Sequence, residues 1–297
     1  MNVALAGCGR WGQRILITLA AQGDRVWVVE PSADARREAL ARGAAGVADD
    51  VSRMPPVEAA VVAVPTRRHA DVIESLAPRG VPMFCEKPLT ADAESARRLA
   101  AAHDRLFVMD KWRYHPAVEE LARIVRTREI GEPRALRTAR VQPGVTGHDV
   151  DAVWILAPHE ISIAREILGT IPRAVRAEGS SSGSDAHSLS AVCESGGVPF
   201  TFDVSARAPA RRREIELVCE KGVARWTLGR EHEIEISGAT RAVSPEPPLD
   251  RELRAFRDHV RGGPPPKSPA REGAAVVALI EELRDLAGIR RSGRRSL

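Results

Sequence analysis

Residues 1–110 alternate between short, continuous apolar runs and helix-like segments, and this alternation restricts the fold more than any other feature. Continuously apolar strands are typical of sheets buried on both faces, and the helices between them provide the crossovers that parallel strands need. The pattern therefore predicts an α/β domain with a doubly wound parallel sheet. The expected strands are 2–6, 25–29, 59–64, 81–85 and 105–109, and the expected helices are 11–22, 32–42, 67–79 and 91–103.

From about residue 112 the pattern changes, and a chain of 297 residues is long enough for two domains. Two helix-like segments lead into runs that alternate between apolar and polar residues, which favours an antiparallel or mixed sheet. Two further helices, 249–262 and 269–287, are expected near the end of the chain. The strand-like runs are PRAVRAE, HSLSAVCES, VPFTFDVSA, REIELVCE, VARWTLG and EHEIEIS.

The bulk composition argues against several classes of protein. With 43% apolar and 28% charged residues, the chain resembles an ordinary globular protein. No apolar stretch approaches the roughly 20 residues of a membrane span, and the N-terminus lacks the features of a signal peptide. We therefore expect a cytoplasmic protein without a membrane partner. The basic residues are spread along a chain of net charge +4, so no nucleic-acid partner is expected.

The cysteines and histidines lack the spacing of a disulfide framework or a metal site. The four cysteines lie far apart and form no C-x-x-C pair, and His148 and His159 do not have metal-ligand spacing. We expect free thiols and no bound metal. The cysteines are residues 8, 85, 193 and 219.

A glycine-rich loop, GCGRWG at residues 7–12, follows the first apolar run directly and opens a helix. In a G-x-G-x-x-G loop, Gly7 would permit the tight turn, Gly9 the close approach of a pyrophosphate, and Gly12 the packing of helix on strand. A purely structural turn is the alternative, but the complete context favours a dinucleotide site. The other loop residues expected beside the cofactor are Arg10 and Trp11.

An acid, Glu30, ends the second predicted strand 18 residues after Gly12. A carboxylate at this position would accept hydrogen bonds from the ribose hydroxyls and repel a 2′-phosphate, which favours NAD over NADP. Arg10 and the neighbouring Arg36 and Arg37 keep NADP open as the less favoured cofactor.

Lys87 lies at the end of another predicted strand, in the segment FCEKPLT at residues 84–90. Lysine is scarce here, with four among 44 basic residues, and ligands of open parallel sheets bind at the carboxyl ends of the strands. A lysine whose pKa is lowered can exchange a proton near neutral pH, whereas an arginine stays protonated. Lys87 is therefore a candidate acid–base group; the alternative is a surface salt bridge of Glu86 with a neighbour.

Four motifs in this order, GCGRWG, VPTRRH, CEKPLT and KWRYHPAVEEL, resemble the Gfo/Idh/MocA oxidoreductase family, the relatives of glucose–fructose oxidoreductase and inositol dehydrogenase. The resemblance spans essentially the whole chain. It implies an NAD-binding Rossmann domain at 1–111 and a substrate-binding, self-associating α/β domain at 112–297, built on an open, largely antiparallel sheet.

The resemblance also implies roles for individual residues. Lys87 would reach the nicotinamide ribose and the substrate hydroxyl, and Glu86 would shape its turn. Arg113 would lie near the cofactor or the substrate. The further residues expected to line the cofactor are Pro65, Thr66 and His69.

The second domain departs from the family's D-x-G-x-H-x-x-D pattern. His159 matches the histidine and is the second expected catalytic residue, but Ile155 and Ser162 stand where acids are usual. Pro158 predicts that a helix begins or kinks there, which would place His159 in a first turn and favour its neutral form. The candidates to replace the missing carboxylate are Asp151, Glu160 and His148.

The sequence thus predicts an NAD(H)-dependent oxidoreductase that transfers a hydride at a carbinol or ketone carbon of a sugar, nucleotide sugar or cyclitol. Three alternatives stay open: a same-fold dehydrogenase for another carbonyl or imine, an NAD-assisted lyase or hydrolase, and a non-catalytic dinucleotide-binding sensor. We also expect a homodimer or homotetramer, because the strands of the second domain are too apolar to leave one whole sheet face in water.

Overall fold

The computed structural model describes residues 1–145 and 149–289, and the chain forms two compact units. The first unit contains residues 1–111 together with 247–274, and the second contains the described residues of 112–246 together with 275–289. The change of pattern near residue 112 coincides with a boundary between the units. The segment 247–274, however, packs with the first unit, whereas the sequence placed it in the second domain.

The strands form two sheets, one in each unit. The first unit contains β1 (Asn2–Ala6), β2 (Arg25–Val29), β3 (Gly46–Ala48), β4 (Ala59–Val62), β5 (Met83–Glu86) and β6 (Leu106–Met109). The second contains β7 (Pro133–Val141), β8 (Arg173–Ser182), β9 (Asp185–Ser195), β10 (Val198–Ser205), β11 (Arg212–Cys219), β12 (Gly222–Thr227), β13 (Glu233–Ile236) and β14 (Ala239–Ala242).

The helices follow the expected segments, with one exception in the second unit. They are α1 (Arg10–Ala21), α2 (Ala33–Ala41), α3 (His69–Leu76), α4 (Ala93–Ala102), α5 (Pro116–Thr127), α6 (Ala152–Leu168), α7 (Pro248–Val260) and α8 (Ala270–Leu286). None of the helices in the described ranges combines the length and the apolar character that a membrane crossing needs.

The sheet of the first unit is parallel throughout, in the order β3-β2-β1-β4-β5-β6. This order confirms the doubly wound fold, and the chain direction of the crossovers reverses between β1 and β4, where ligands of such sheets bind. The sequence did not predict β3, because three residues that begin with a glycine carry no recognisable period. Helix α7 joins this unit through the stacking of Phe256 on Phe84, with ring centroids 4.8 Å apart.

The sheet of the second unit has the order β14-β13-β12-β11-β7-β10-β9-β8. Only β7 and β10 run parallel in this sheet, so the prediction of a largely antiparallel sheet is confirmed. Helix α6 packs against β7, β9 and β10 and covers one face. Helix α5 packs against α6 in turn.

The opposite face of this sheet is polar, contrary to the expectation from composition. Along β10, Phe200 and Phe202 are buried, whereas Asp203, between Phe202 and Val204, is exposed. On the neighbouring strands, Glu216 forms ion pairs with Arg137 and Arg225. The apolar residues alternate and face the helices, so the composition of the strands does not support self-association, which stays a prediction from the resemblance.

Candidate active site

The glycine loop joins β1 to α1, and two of its glycines are required by packing. Gly7 has φ +92°, and a Cβ there would approach the backbone carbonyl carbon of Ala63 to 2.7 Å. A Cβ on Gly12 would lie 2.3 Å from the carbonyl oxygen of Gly7. Gly9 differs, because no described atom lies within 4 Å of a Cβ built there. The loop is therefore closed on the sheet side and open at Gly9.

Helix α1 begins at this open position, with Gly9 as its N-cap. Within the described chain no side chain caps this end, and no acid occupies the first turn. The backbone N–H groups and the positive end of the helix dipole at this terminus are thus suited to an anion such as a pyrophosphate. Arg10 is exposed in the same turn, and Trp11 is half-buried beside it.

Glu30 follows β2 directly and reaches back to the glycine loop. Its Oε2 accepts a hydrogen bond of 2.9 Å from the backbone N–H of Cys8, and its Oε1 accepts one of 3.1 Å from that of Ser32. The carboxylate is therefore held beside the loop, at the position where a dinucleotide fold binds ribose hydroxyls.

Two of the three arginines that kept NADP open in the sequence, Arg36 and Arg37, are engaged locally, whereas Arg10 is exposed in the first turn of α1. Arg36 Nη1 donates to the carbonyl oxygens of Glu30 and Pro31, each at 2.7 Å. Arg37 forms an exposed ion pair with Asp34. Of Glu30, Arg36 and Arg37, it is Glu30 whose side chain forms a hydrogen bond with the loop.

The E-K-P turn at the end of β5 is tied to the glycine loop through Glu86. Glu86 Oε1 accepts a hydrogen bond from Trp11 Nε1, and its Oε2 accepts one of 3.1 Å from the backbone N–H of Lys87. Burial raises the pKa of the Glu86 carboxyl, and the charges of Lys87 and Lys111 oppose that rise. The turn that carries Lys87 is thus fixed to the candidate dinucleotide loop.

Two charged residues that the sequence reasoning missed join this site. Lys111 Nζ lies 4.1 Å from the ring centroid of Trp11. Glu252 of α7 is 1% exposed, and burial together with the charge of Glu86 raises its pKa well above the ordinary value, against the opposing charge of Lys111. The scarcity of lysine could have pointed to Lys111. The sequence gives no sign that Glu252 is buried, because an acid on an amphipathic helix is usually exposed.

His69 connects the turns that follow β4 and β5. It is 1% exposed, its Nδ1 lies 3.0 Å from the carbonyl oxygen of Pro88, and its Nε2 lies 3.0 Å from that of Val64. This placement favours a positioning role, in which His69 holds the two turns together. Pro65 is exposed and Thr66 half-buried on the same turn.

In the second unit, the prediction that a helix begins at Pro158, with His159 in its first turn, is wrong. Helix α6 begins at Ala152, where the carboxylate of Asp151 accepts from the backbone N–H groups of Val153 and Trp154. The proline removes one donor inside the helix, but the cap and a largely buried surface maintain the helix around it. His159 therefore lies in the middle of α6, and the first-turn argument for a neutral imidazole does not apply.

The residues considered as substitutes for the missing carboxylate have other partners. Asp151 Oδ2 accepts from Arg284 Nη1 at 2.7 Å. Glu160 forms an ion pair with Arg140 in which both side chains are at most 3% exposed. His148 lies outside the described residues. Neither Asp151 nor Glu160 therefore replaces the carboxylate that is usual at the position of Ile155.

Arg113 is buried in the second unit, where its Nε donates to Glu166 of α6 at 3.0 Å. This ion pair indicates that Arg113 holds the segment before α5 against α6. The adjacent Trp112 has its ring 6.5 Å from that of His159. Across the described part of the chain, no group of three or more His, Cys, Asp or Glu side chains is arranged to hold a metal ion.

Comparison with known proteins adds family matches in both parts of the chain. Residues 1–109 match the oxidoreductase family described as having an NAD-binding Rossmann fold, and residues 118–225 match the GFO/IDH/MocA C-terminal domain. Inositol 2-dehydrogenase of Arthrobacter sp. is 30% identical over 194 residues, which cover 57% of this chain and 58% of that enzyme, under two thirds of its length.

Two further proteins are similar over more of the chain. Inositol 2-dehydrogenase 4 of Saccharopolyspora erythraea is 28% identical over 248 residues, which cover 76% of this chain and 73% of the enzyme. A levoglucosan dehydrogenase solved with NADH and levoglucosan superposes with a TM-score of 0.86 over 97% of each chain, at 18% identity. The last likeness concerns the fold.

Proposed function

Because this chain belongs to the Gfo/Idh/MocA oxidoreductase family, we propose that it is an NAD(H)-dependent dehydrogenase acting on a CH–OH group of a sugar, nucleotide sugar or cyclitol. The observation that carries the proposal is the hydrogen bond from Trp11 to Glu86, which fixes the turn of Lys87 to the candidate dinucleotide loop. The inositol 2-dehydrogenases among the relatives support the class of substrate.

The residues of the first unit fit a dinucleotide. The open space at Gly9 and the uncapped start of α1 would receive the pyrophosphate, and Glu30 would receive the adenosine ribose. The bound nicotinamide would supply the hydride acceptor or donor. Pro65 and Thr66 would line the same edge of the sheet.

We infer a preference for NAD over NADP from Glu30. A 2′-phosphate would meet its carboxylate, and two of the candidate partners for that phosphate, Arg36 and Arg37, already have local acceptors. Calorimetry with NAD(H) and with NADP(H) tests this preference.

Lys87 and His159 are proposed as the groups that serve the substrate hydroxyl. Oxidation of a carbinol carbon releases a proton, and a side chain within hydrogen-bonding reach must take it. One of the two residues would exchange this proton and the other would orient the hydroxyl. Lys87 has its complete motif, whereas His159 has Ile155 in place of the usual carboxylate, so its imidazole is less firmly oriented.

A turnover screen tests this proposal with sugars, nucleotide sugars and cyclitols, each assayed with NAD and with NADH. We expect Lys87→Ala to lower kcat by roughly 10²- to 10⁴-fold, as is typical of a general acid–base group. His159→Ala should cost less and should also raise KM, since it mainly positions the substrate. Near wild-type turnover by Lys87→Ala would exclude this assignment.

One observation favours a second candidate function. Ile155 removes a carboxylate that the family uses, which is what a non-catalytic dinucleotide-binding sensor could tolerate. In that case calorimetry would show NAD binding while the whole substrate screen gave no turnover. Release of a cleaved or eliminated product without net reduction of NAD would instead indicate an NAD-assisted lyase or hydrolase.

A further inference from the structure

Two arginines face each other across neighbouring strands of the second unit. Arg140 of β7 and Arg213 of β11 are direct partners in the antiparallel register. Like charges in such positions repel each other, so they need compensation. One row along, Thr138 and Trp226 both pair with Ile215 and lie on the same sheet face. We call Thr138, Arg140, Arg213 and Trp226 the donor cluster.

Arg140 is fully compensated within the protein. Glu160 neutralises its charge in a buried ion pair, and the Arg140 Cζ lies 4.3 Å from the ring centroid of Trp112. The ring of Trp112 also stacks on His115, with centroids 4.7 Å apart, and meets the ring of Trp226 edge-on at 5.4 Å. Arg140 is therefore immobilised, and its charge has an internal counterion.

Arg213 is not compensated in this way. Among the described residues, its side chain donates only to a neutral acceptor, Gln142 Oε1, at 2.6 Å. Its Nε is buried without an acceptor there. Burial lowers the pKa of Arg213 to about 10; the charges of Arg140 and Arg211 add to this effect, and the charge of Glu160, which is paired with Arg140, opposes it. A half-buried guanidinium is thus left with a positive charge and an unused donor.

Other members of the donor cluster have unused polar atoms as well. Trp226 is 3% exposed, and its Nε1–H has no acceptor within the described chain. The buried Oγ1 of Thr138 likewise has no hydrogen-bond partner among the described residues. Buried donors without acceptors are costly, and native proteins usually satisfy them with water, an ion or a ligand. An oxygen-rich anion would satisfy both the charge and the donors.

The cluster adjoins the proposed catalytic histidine within the same unit. Glu160, the partner of Arg140, follows His159 directly, and Trp112 contacts both Arg140 and His159. Resting on the proposed function, we propose that the donor cluster binds an anionic group, a carboxylate or a phosphate, carried by the substrate. The enzyme would then act on an acidic sugar or cyclitol in preference to a neutral one.

The test compares acidic and neutral members of matched pairs: D-gluconate with D-glucitol, D-glucuronate with D-glucose, and D-glucose 6-phosphate with D-glucose. NADH formation is followed with wild type and with Arg213→Gln. Wild type should prefer an acidic member, and the variant should raise KM for it by about 10- to 100-fold, as expected for a charge-assisted contact, with little change for its neutral partner. The preferred acid distinguishes carboxylate from phosphate.

Two further variants separate binding from a general structural effect. Arg213→Lys keeps the charge and should recover part of the preference. Arg212→Gln removes the neighbouring, exposed arginine and should leave both members of each pair unaffected. Equal turnover of acidic and neutral members by wild type, or equal losses on both in Arg213→Gln, would overturn the proposal.

A binding measurement distinguishes failure of this proposal from failure of the proposed function. Thermal unfolding of Lys87→Ala protein is recorded with each acidic and neutral compound. If wild type turns over no compound, the dehydrogenase proposal fails. The anion site would still be supported if only acidic compounds raise the unfolding temperature of Lys87→Ala and this stabilisation is lost when Arg213→Gln is added. Absence of any selective stabilisation by acidic compounds, together with no acid preference in turnover, would refute it.

Discussion

At the scale of single residues, Glu30 combines two roles that a substitution can separate. Its carboxylate carries the charge that would repel a 2′-phosphate and also accepts hydrogen bonds from Cys8 and Ser32. We expect calorimetry to show that wild type binds NAD(H) more tightly than NADP(H). Glu30→Ala should reduce the ratio of the two dissociation constants without abolishing the binding of NAD(H). Glu30→Gln is the control, because it removes the charge and keeps an acceptor. Tighter binding of NADP(H) by wild type would contradict the role of Glu30.

Glu252 predicts a pH dependence of stability. Burial and the charge of Glu86 raise its pKa well above the ordinary value of 4.5, so the folded protein binds more protons than the unfolded chain above that pH. The free energy of unfolding must then fall as the pH rises from 4.5 toward the raised pKa of Glu252 in the folded protein. Glu252→Gln removes the ionisation and should raise the Tm relative to wild type more at pH 8 than at pH 5. Asp258→Asn, on an exposed position of the same helix, is the control; equal effects of Glu252→Gln at both pH values would contradict the prediction.

At the scale of elements, helix α6 depends on Asp151. This residue caps two backbone N–H groups and forms a buried ion pair with Arg284, whose guanidinium would be left uncompensated by its loss. We expect Asp151→Ala to lower the free energy of unfolding by about 3–5 kcal/mol, the usual cost of breaking a buried pair, measured by urea denaturation. Asp151→Asn keeps the cap and should cost less. A loss below that of a surface substitution, about 0.5 kcal/mol, would show that α6 does not need this cap.

Element positions were predictable where the signal was local. The apolar runs of the first unit and the glycine loop marked β1, β2, β4, β5 and β6, because each run is continuous and bounded by turn residues. The start of α6 was not predictable, because Pro158 is a strong local signal for a helix start, and the cap at Asp151 and the buried helix surface override it. The docking of α7 was not either, because an amphipathic pattern shows which face is buried but not against which sheet.

At the scale of the whole molecule, some residues of the candidate site could be predicted from local sequence signals, whereas others depend on tertiary contacts. Gly9, Glu30 and Lys87 could be found in the sequence because they lie at strand ends, where a parallel sheet brings ligand-binding residues to one edge. Arg213 and Glu252 could not, since their surroundings depend on strand order and helix docking. Arg140 and Arg213 become neighbours only through the antiparallel pairing of β7 with β11.

Self-association also belongs to this scale, and its physical basis changes with the structure. The outer face of the second sheet presents ion pairs such as Arg137–Glu216, and Val192 on the same face is 40% exposed. We expect sedimentation at micromolar concentration to show a dimer or tetramer built on this face, weakened by 1 M salt because charged contacts are screened. Val192→Arg should shift the protein toward monomer, whereas Ile17→Arg, on an exposed position of α1, should not. A wild-type protein that sediments as a monomer would refute self-association, and an oligomer insensitive to both salt and Val192→Arg would place the interface elsewhere.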